Sequence, residues 1–186
     1  SAAYIREQIE LSLKRLQTDY VDIYFSHKYD ESVTQRETLA AYKHLINAGK
    51  VREIGASNFP LAVLRDAIEL AKAEDLPMYN YVQPQYNLME REGFEGDYQR
   101  LCIEENLKVI SYFTLASGFL TGKYQSVEET SGKARERFVK KYFTAKGNRV
   151  INALVALSKK YNCSEAAIAI AWTIAQPGIT APIVSA

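Results

Sequence analysis

Five short runs of β-branched and aromatic residues recur along the chain, and each stops in side chains that can hydrogen-bond: Tyr20–His27, Glu53–Asn58, Tyr81–Asn87, Val109–Thr114 and Ala181–Ser185. The segments between them repeat apolar positions at helical spacing. Ile5, Ile9, Leu13 and Leu16 form one stripe of a helix predicted from Ala3 to Leu16. Leu39, Tyr42, Leu45 and Ile46 face inward in a second helix from Thr34 to Asn47, with Gly49 as its stop. A third helix follows Asn58, with Pro60 in its first turn and Leu61, Leu64, Ile68 and Leu70 on its apolar face. Further helices are predicted over Tyr98 to Glu105, Asn148 to Tyr161 and Ser164 to Ala175, the last opened by Ser164 as N-cap. Strands alternating with helices specify a parallel sheet built from βαβ units. In such folds the loops at the carboxyl ends of the strands converge, so the polar strand ends (His27, Ser57, Asn58, Gln83, Asn87 and Tyr112) are candidates for one site.

The alternation breaks after Thr114. The stretch from Ala116 to Gly132 is too long for an ordinary βα loop, and long loops in compact domains are functional or disordered. The pattern also opens inside a helix and closes on a strand, which reads as one portion of a longer βα chain, a single partial domain over residues 1–186.

Composition narrows the partners. With 186 residues and 47% hydrophobic content, one globular core is expected. A formal net charge of +1 gives no general attraction to nucleic acid or to an anionic membrane. No apolar stretch approaches the roughly 18 residues of a membrane span. Cys102 and Cys163 make no spaced framework, so a reducing, cytoplasmic setting is expected.

Each candidate motif has a plain structural reading beside its chemical one. His27 ends a strand, where an imidazole can donate to a substrate oxygen or transfer a proton, or serve only the fold. His44 lies within a helix and reads as structural. Gly55-Ala-Ser-Asn58 offers a hydroxyl and a carboxamide that equally suit a helix N-cap, and Gly55 allows close approach by a ligand or by packing. Tyr112-Phe-Thr-Leu-Ala-Ser-Gly-Phe-Leu-Thr-Gly-Lys-Tyr124 combines an aromatic strand end, small residues and a lysine after glycine. Backbone amides plus one cation make a phosphate cradle, although the spacing is not that of a Walker loop; the alternative is a mobile surface loop. The basic run Lys133, Arg135, Arg137, Lys140, Lys141, Lys146 and Arg149 reads as a solvated face from which one arginine can close over a phosphate. Cys102 sits among apolar helix neighbours and reads as core. No metal-ligand spacing is present.

Taken together, Asp19-Tyr-Val-Asp-Ile-Tyr-Phe-Ser-His27, Gly49-Lys-Val-Arg-Glu-Ile-Gly-Ala-Ser-Asn-Phe59, Gln83-Pro-Gln-Tyr-Asn-Leu88 and Tyr112 to Tyr124 resemble, in order, the aldo/keto reductase family. The Gly118-Phe-Leu-Thr-Gly-Lys-Tyr form looks like the branch of bacterial reductases and potassium-channel β subunits. The resemblance implies an α/β fold, a TIM (β/α)8 barrel of which this chain supplies about strands four to eight. It implies hydride transfer between NADP(H), with NAD open, and a small aldehyde or ketone. By resemblance His27 is the catalytic-site histidine that orients the carbonyl. Ser57, Asn58 and Gln83 resemble the nicotinamide carboxamide contacts, and Tyr112 the aromatic that stacks on the ring. Phe113, Leu115 and Ser117 fall near the pyrophosphate, and Lys123 and Arg135 resemble phosphate-binding cations. The family's catalytic Asp, Tyr and Lys precede the first segment present here, and no residue of this chain is assigned to their roles. The same resemblance leaves a non-catalytic nucleotide-binding or regulatory subunit as the alternative. An unrelated βα enzyme with a phosphorylated substrate is a third reading. The strands are expected in an open arc completed by a preceding segment or a second copy, and residues Thr121 to Gly132 are expected to be mobile without cofactor.

Overall fold

The structure, a computed structural model, describes residues 1–124 and 126–184. Ser185, placed by pattern in the last strand, lies outside them. The chain forms two compact units, residues 1–83 with 104–108, and residues 84–103 with 109 onward.

In the first unit the order is α1 (Ala2–Leu16), β1 (Val21–Ser26), α2 (Gln35–Asn47), β2 (Val51–Ser57), α3 (Leu61–Ala73) and β3 (Tyr79–Gln83). β1 pairs with β2 and β2 with β3, both in parallel. The helices start where the side chains can cap them: Ser1 and Thr34 each accept a backbone N–H of the first turn. Pro60 occupies the cap of α3, one residue earlier than the first turn expected of it. Helix α1 buries Ile9 and Leu13, but Leu16 is exposed, because the left-handed Gln17 (φ 56°) turns the chain away at that point. On α2 and α3 the buried stripes are Thr38, Leu39, Ala41, Tyr42 and Leu45, and Leu64, Ala67, Ile68 and Ala71. Tyr42 packs edge-on against Tyr24 and Tyr79, and Phe59 against Tyr79. Such edge-to-face pairs add about 0.5–1.5 kcal/mol each beyond area burial. The third strand stops at Gln83, short of Asn87, because Pro84 has no N–H to continue a ladder.

The second unit holds all but the last residue of α4 (Asp97–Glu104), all but the first of β4 (Lys108–Ser111), and α5 (Glu136–Val139), α6 (Ala145–Tyr161), α7 (Glu165–Ile174) and β5 (Ile179–Pro182). β4 and β5 pair in parallel. β5 begins two residues earlier than the apolar run suggested, yet Ile183 still follows β4 by donating its N–H to Ser111 O at 2.7 Å. The long segment after β4 folds into 3-10 turns at Ala116–Thr121, Glu128–Thr130 and Lys140–Tyr142, with α5 between the last two. It carries a core of its own: Ala116, Phe119, Leu120, Val139 and Tyr142 are buried with Met89, Leu154 and Ala169. Cys102 is buried and its thiol is pushed up to about 12 by that burial, the condition of an inert core cysteine. No helix among the described residues is long and apolar enough to cross a membrane.

One ion-pair network pins α7. Glu95 accepts from Arg91 Nε (2.8 Å) and from the Tyr86 hydroxyl (2.7 Å), while Arg91 lies 5.4 Å from the Trp172 ring centroid. The Arg91 hydrogen bonds hold the Glu95 carboxyl below its ordinary value. A depressed carboxylate stabilises the fold at pH values above its unfolded pKa, about 4.3 for glutamate, and that contribution disappears as pH falls through the folded value. The stability advantage of the native protein over Glu95→Gln is therefore expected at neutral pH and should shrink in acid. Denaturant unfolding followed by Trp172, the sole tryptophan, measures it, and an advantage constant from pH 7 to 3 would disprove the linkage.

Candidate functional site

In the first unit the parallel strands bring His27, Ser57, Asn58 and Gln83 to their carboxyl ends. Alternation along β1 puts Tyr24 and Ser26 toward α2, where Ser26 Oγ and the Tyr42 hydroxyl lie 2.8 Å apart, so Phe25 faces the other side. Phe25 pairs in register with Gly55, and a Cβ on Gly55 would come within 2.3 Å of the Phe25 ring. The glycine here serves packing: an aromatic ring occupies the space its missing side chain leaves.

Hydrogen bonds then tie the strand ends together. Asn58, in the left-handed region (φ 56°), donates from Nδ2 to His27 O at 2.9 Å and to Ser57 Oγ at 3.0 Å. Ser57 Oγ in turn donates to Gln83 O at 2.9 Å, and Ser57 is buried. Ser57 and Asn58 are thus not the cap of α3, which Pro60 opens without a side-chain bond. They fix the relative heights of the ends of β1, β2 and β3, with His27 exposed at the rim of a cavity of about 400 Å³ bounded by α1, β1 and α2.

The second unit contains a larger cavity of about 610 Å³, lined by Tyr112, Phe113, Leu115, Ser117, Lys123 and Arg135 among others. Every residue after β4 that the sequence singled out for cofactor contact therefore opens onto one space. The backbone explains the convergence. Phe113 (φ 54°), Ala116 (φ 47°), Ser117 (φ 58°) and Gly118 (φ 100°) take left-handed conformations. These fold the segment onto itself, with Ala116 N bonded to Phe113 O (2.7 Å) and Gly118 N to Leu115 O (2.8 Å). The missing side chain of Gly118 lets Lys123 lie across it, since a Cβ there would meet Lys123 Cε at 3.3 Å and Nζ at 3.4 Å.

The lining combines aromatic rings with cationic side chains. Tyr112 and Phe113 pack edge-on with centroids 5.1 Å apart, and Phe113 lies 6.4 Å from Phe138. Phe113 and Phe138 are 47% and 39% exposed, which is unusual for phenylalanine, although Arg137 lies over the Phe138 ring at 4.5 Å. Burial raises the Tyr112 phenol, so its hydroxyl stays protonated at neutral pH. Of the basic run, Lys140 and Lys141 are neutralised by Glu136 and Glu90. Lys123 and Arg135 have no carboxylate partner of that kind among the described residues. A pocket of aromatic faces and uncompensated cations fits a ligand that is both planar and polyanionic. Phe138, Ile183 and Val184 also line this space. Phe138 lies within a run of charges that reads as a solvated face, and it shares that run with Val139, Tyr142 and Phe143, so nothing in the sequence marks it.

The full span, residues 1–186, matches the model of the aldo/keto reductase family. An aldo-keto reductase of Bacillus subtilis, YhdN, is 35% identical over 95% of this chain and 52% of its own length. The L-glyceraldehyde 3-phosphate reductase of Escherichia coli K12 is 27% identical over 100% of this chain and 55% of its own. A probable voltage-gated potassium channel subunit beta from Oryza sativa is 30% identical over 100% of this chain and 58% of its own. The chain thus spans about half the length of the curated relatives it matches. A family match along the whole chain, together with parallel βα units, leads to one assignment: the chain belongs to the aldo/keto reductase family, and its fold is a portion of that family's (β/α)8 barrel.

Proposed function

We propose that this chain supplies the dinucleotide-holding portion of an NADP(H)-dependent aldo/keto reductase. The observation that carries the reading is the single cavity of Tyr112, Phe113, Leu115, Ser117, Lys123 and Arg135. Members of the family use NAD(P)H, and the residues present fit such a group: a cavity within the roughly 300–1,000 Å³ of ligand sites, aromatic faces, and cations for phosphates. The bound dinucleotide supplies the hydride, and the carbonyl partner is a small aldehyde or ketone. Lys123 and Arg135 neutralise phosphate charge, and the left-handed turn from Phe113 to Gly118 brings backbone close to the pyrophosphate. Tyr112 offers a flat neutral face to the nicotinamide. In the first unit, Ser57, Asn58 and Gln83 serve the nicotinamide carboxamide and His27 orients the substrate carbonyl, on rigidly linked strand ends. A preceding segment or a second copy completes the barrel, and the protein works in the cytoplasm.

Calorimetric titration with NADP⁺ and NAD⁺ tests this. The dinucleotide should bind, and Lys123→Ala or Arg135→Ala should each weaken it roughly 10- to 100-fold, the worth of about 1.5–3 kcal/mol for a charge-assisted hydrogen bond. Unchanged affinity in both variants would contradict the reading. The match to a channel β subunit supports a second reading, a nucleotide-binding regulatory subunit. Both readings require the dinucleotide, and carbonyl turnover by the full-length protein separates them.

A further inference from the structure

The second unit contains a fully buried amide that bonds one wall of the cavity directly, and reaches the chain behind the other through its neighbours, without lining the cavity itself. Asn87 is 0% exposed. Its Nδ2 donates to Phe113 O at 2.9 Å, and its Oδ1 accepts from Met89 N at 2.8 Å and Glu90 N at 3.0 Å. Phe113 O also accepts from Ala116 N, so Asn87 completes the bonding of the carbonyl at which the left-handed turn begins. That turn aims the Phe113 ring and, through the adjoining peptide, Tyr112. On the other side, the residues Asn87 grips hold the segment that follows α5. Glu90 Oε1 accepts from Lys141 Nζ at 2.5 Å, and Met89 O accepts from Lys146 Nζ at 3.3 Å. Met89 itself packs in the apolar cluster with Val139 and Tyr142. Arg135 and Phe138, on the far wall, come just before that segment, at the cap of α5 and within it.

We infer that Asn87 is a positioning residue for dinucleotide binding, which sets the separation of the Tyr112–Phe113 wall and the Arg135–Phe138 wall through one buried side chain. The inference rests on the dinucleotide reading above. The amide suits the task because it donates and accepts at once in fixed geometry, and a buried network with all its members satisfied holds a single arrangement. No apolar residue can replace it without leaving the Phe113 carbonyl and two backbone N–H groups with fewer partners.

The test compares wild type, Asn87→Asp and Lys141→Met by calorimetric titration with NADP⁺, at a temperature where circular dichroism shows each fully folded. Asn87→Asp keeps the acceptor oxygen toward Met89 and Glu90 but turns a carboxylate toward Phe113 O. A role confined to folding lowers the fraction of competent molecules, which reads as reduced stoichiometry at unchanged Kd. A positioning role raises Kd at unchanged stoichiometry. We expect a rise of about tenfold or more for Asn87→Asp, since misplacement by about an ångström has effects of that order. Lys141→Met loosens only the far wall, and a rise of roughly two- to fivefold is expected, the worth of a partly exposed ion pair. Tight binding by wild type with wild-type Kd in Asn87→Asp overturns the inference and leaves the dinucleotide reading standing. Should Asn87→Asp not fold, a wild-type Kd in Lys141→Met overturns it. Absence of NADP⁺ binding by the wild-type chain removes the reading itself and the inference with it.

Discussion

NADPH oxidation with 4-nitrobenzaldehyde is expected to run at least about 10²–10⁴-fold more slowly with these 186 residues alone than with a full-length reductase containing them. Hydride transfer to a carbonyl leaves an alkoxide that must be protonated as it forms, and a positioned general acid contributes a factor of that size. The family's acid is a tyrosine made more acidic by a neighbouring lysine, and resemblance assigns no residue here to either part. The tyrosines of this chain agree. Where a pKa is displaced, at Tyr24, Tyr42, Tyr79, Tyr81, Tyr86, Tyr98, Tyr112 and Tyr142, it moves upward, with burial as the main cause in each. A phenol pushed up, as Tyr42 is to about 12, is a poorer acid than a free one. His27 is assigned to orienting the carbonyl, and loss of positioning elsewhere in the cleft adds to the deficit. Comparable rates from the two proteins would show that the acid lies within these residues.

Gly147→Ala is expected to destabilise the chain by about 2–4 kcal/mol, against the usual sign of that exchange in a helix, where alanine is favoured by about 1 kcal/mol. Gly147 is in the first turn of α6, where its N–H donates to the Thr144 cap at 3.1 Å. A Cβ there would lie 1.9 Å from the Tyr142 carbonyl oxygen and 3.0 Å from Phe119 Cζ. The first neighbour is backbone and cannot rotate away, so either the cap opens or the Phe119–Tyr142 cluster shifts. Gly93 is the control: no atom lies within 4 Å of a Cβ built there, and its φ is not in the left-handed region. Gly93→Ala should be neutral or stabilising by up to about 1 kcal/mol through the unfolded chain. Equal chemical-denaturation midpoints for the two variants would contradict this account of α6.

The alternation of strands and helices was legible because each strand is short, β-branched and bounded by turn residues, while each helix buries one stripe. Legibility failed where tertiary packing overrides local pattern. The stretch after β4 reads as a long loop because the apolar residues in it and just beyond, Phe119, Leu120, Val139 and Tyr142, have no single period. They meet only when left-handed turns fold the chain back. Among candidate site residues, Tyr112, Phe113, Leu115, Ser117, Lys123 and Arg135 line one cavity. Ser57 and Asn58 also tie the strand ends together, and Asn87, grouped with the polar strand ends, is buried and bonds the Phe113 carbonyl. Nothing in the sequence separates an amide that touches a ligand from one that holds the residue that does. That distinction depends on which way the side chain points after the strand has ended at Pro84.

Hydrogen–deuterium exchange with and without saturating NADPH tests the central claim most directly, because it reads where the dinucleotide rests without requiring turnover. The account predicts slowed exchange in peptides covering Tyr112 to Lys123 and Arg135 to Phe138, with the outer surface of α3 unaffected. Unchanged exchange in both of those peptides, in a sample to which NADPH has been added to saturation, would contradict it.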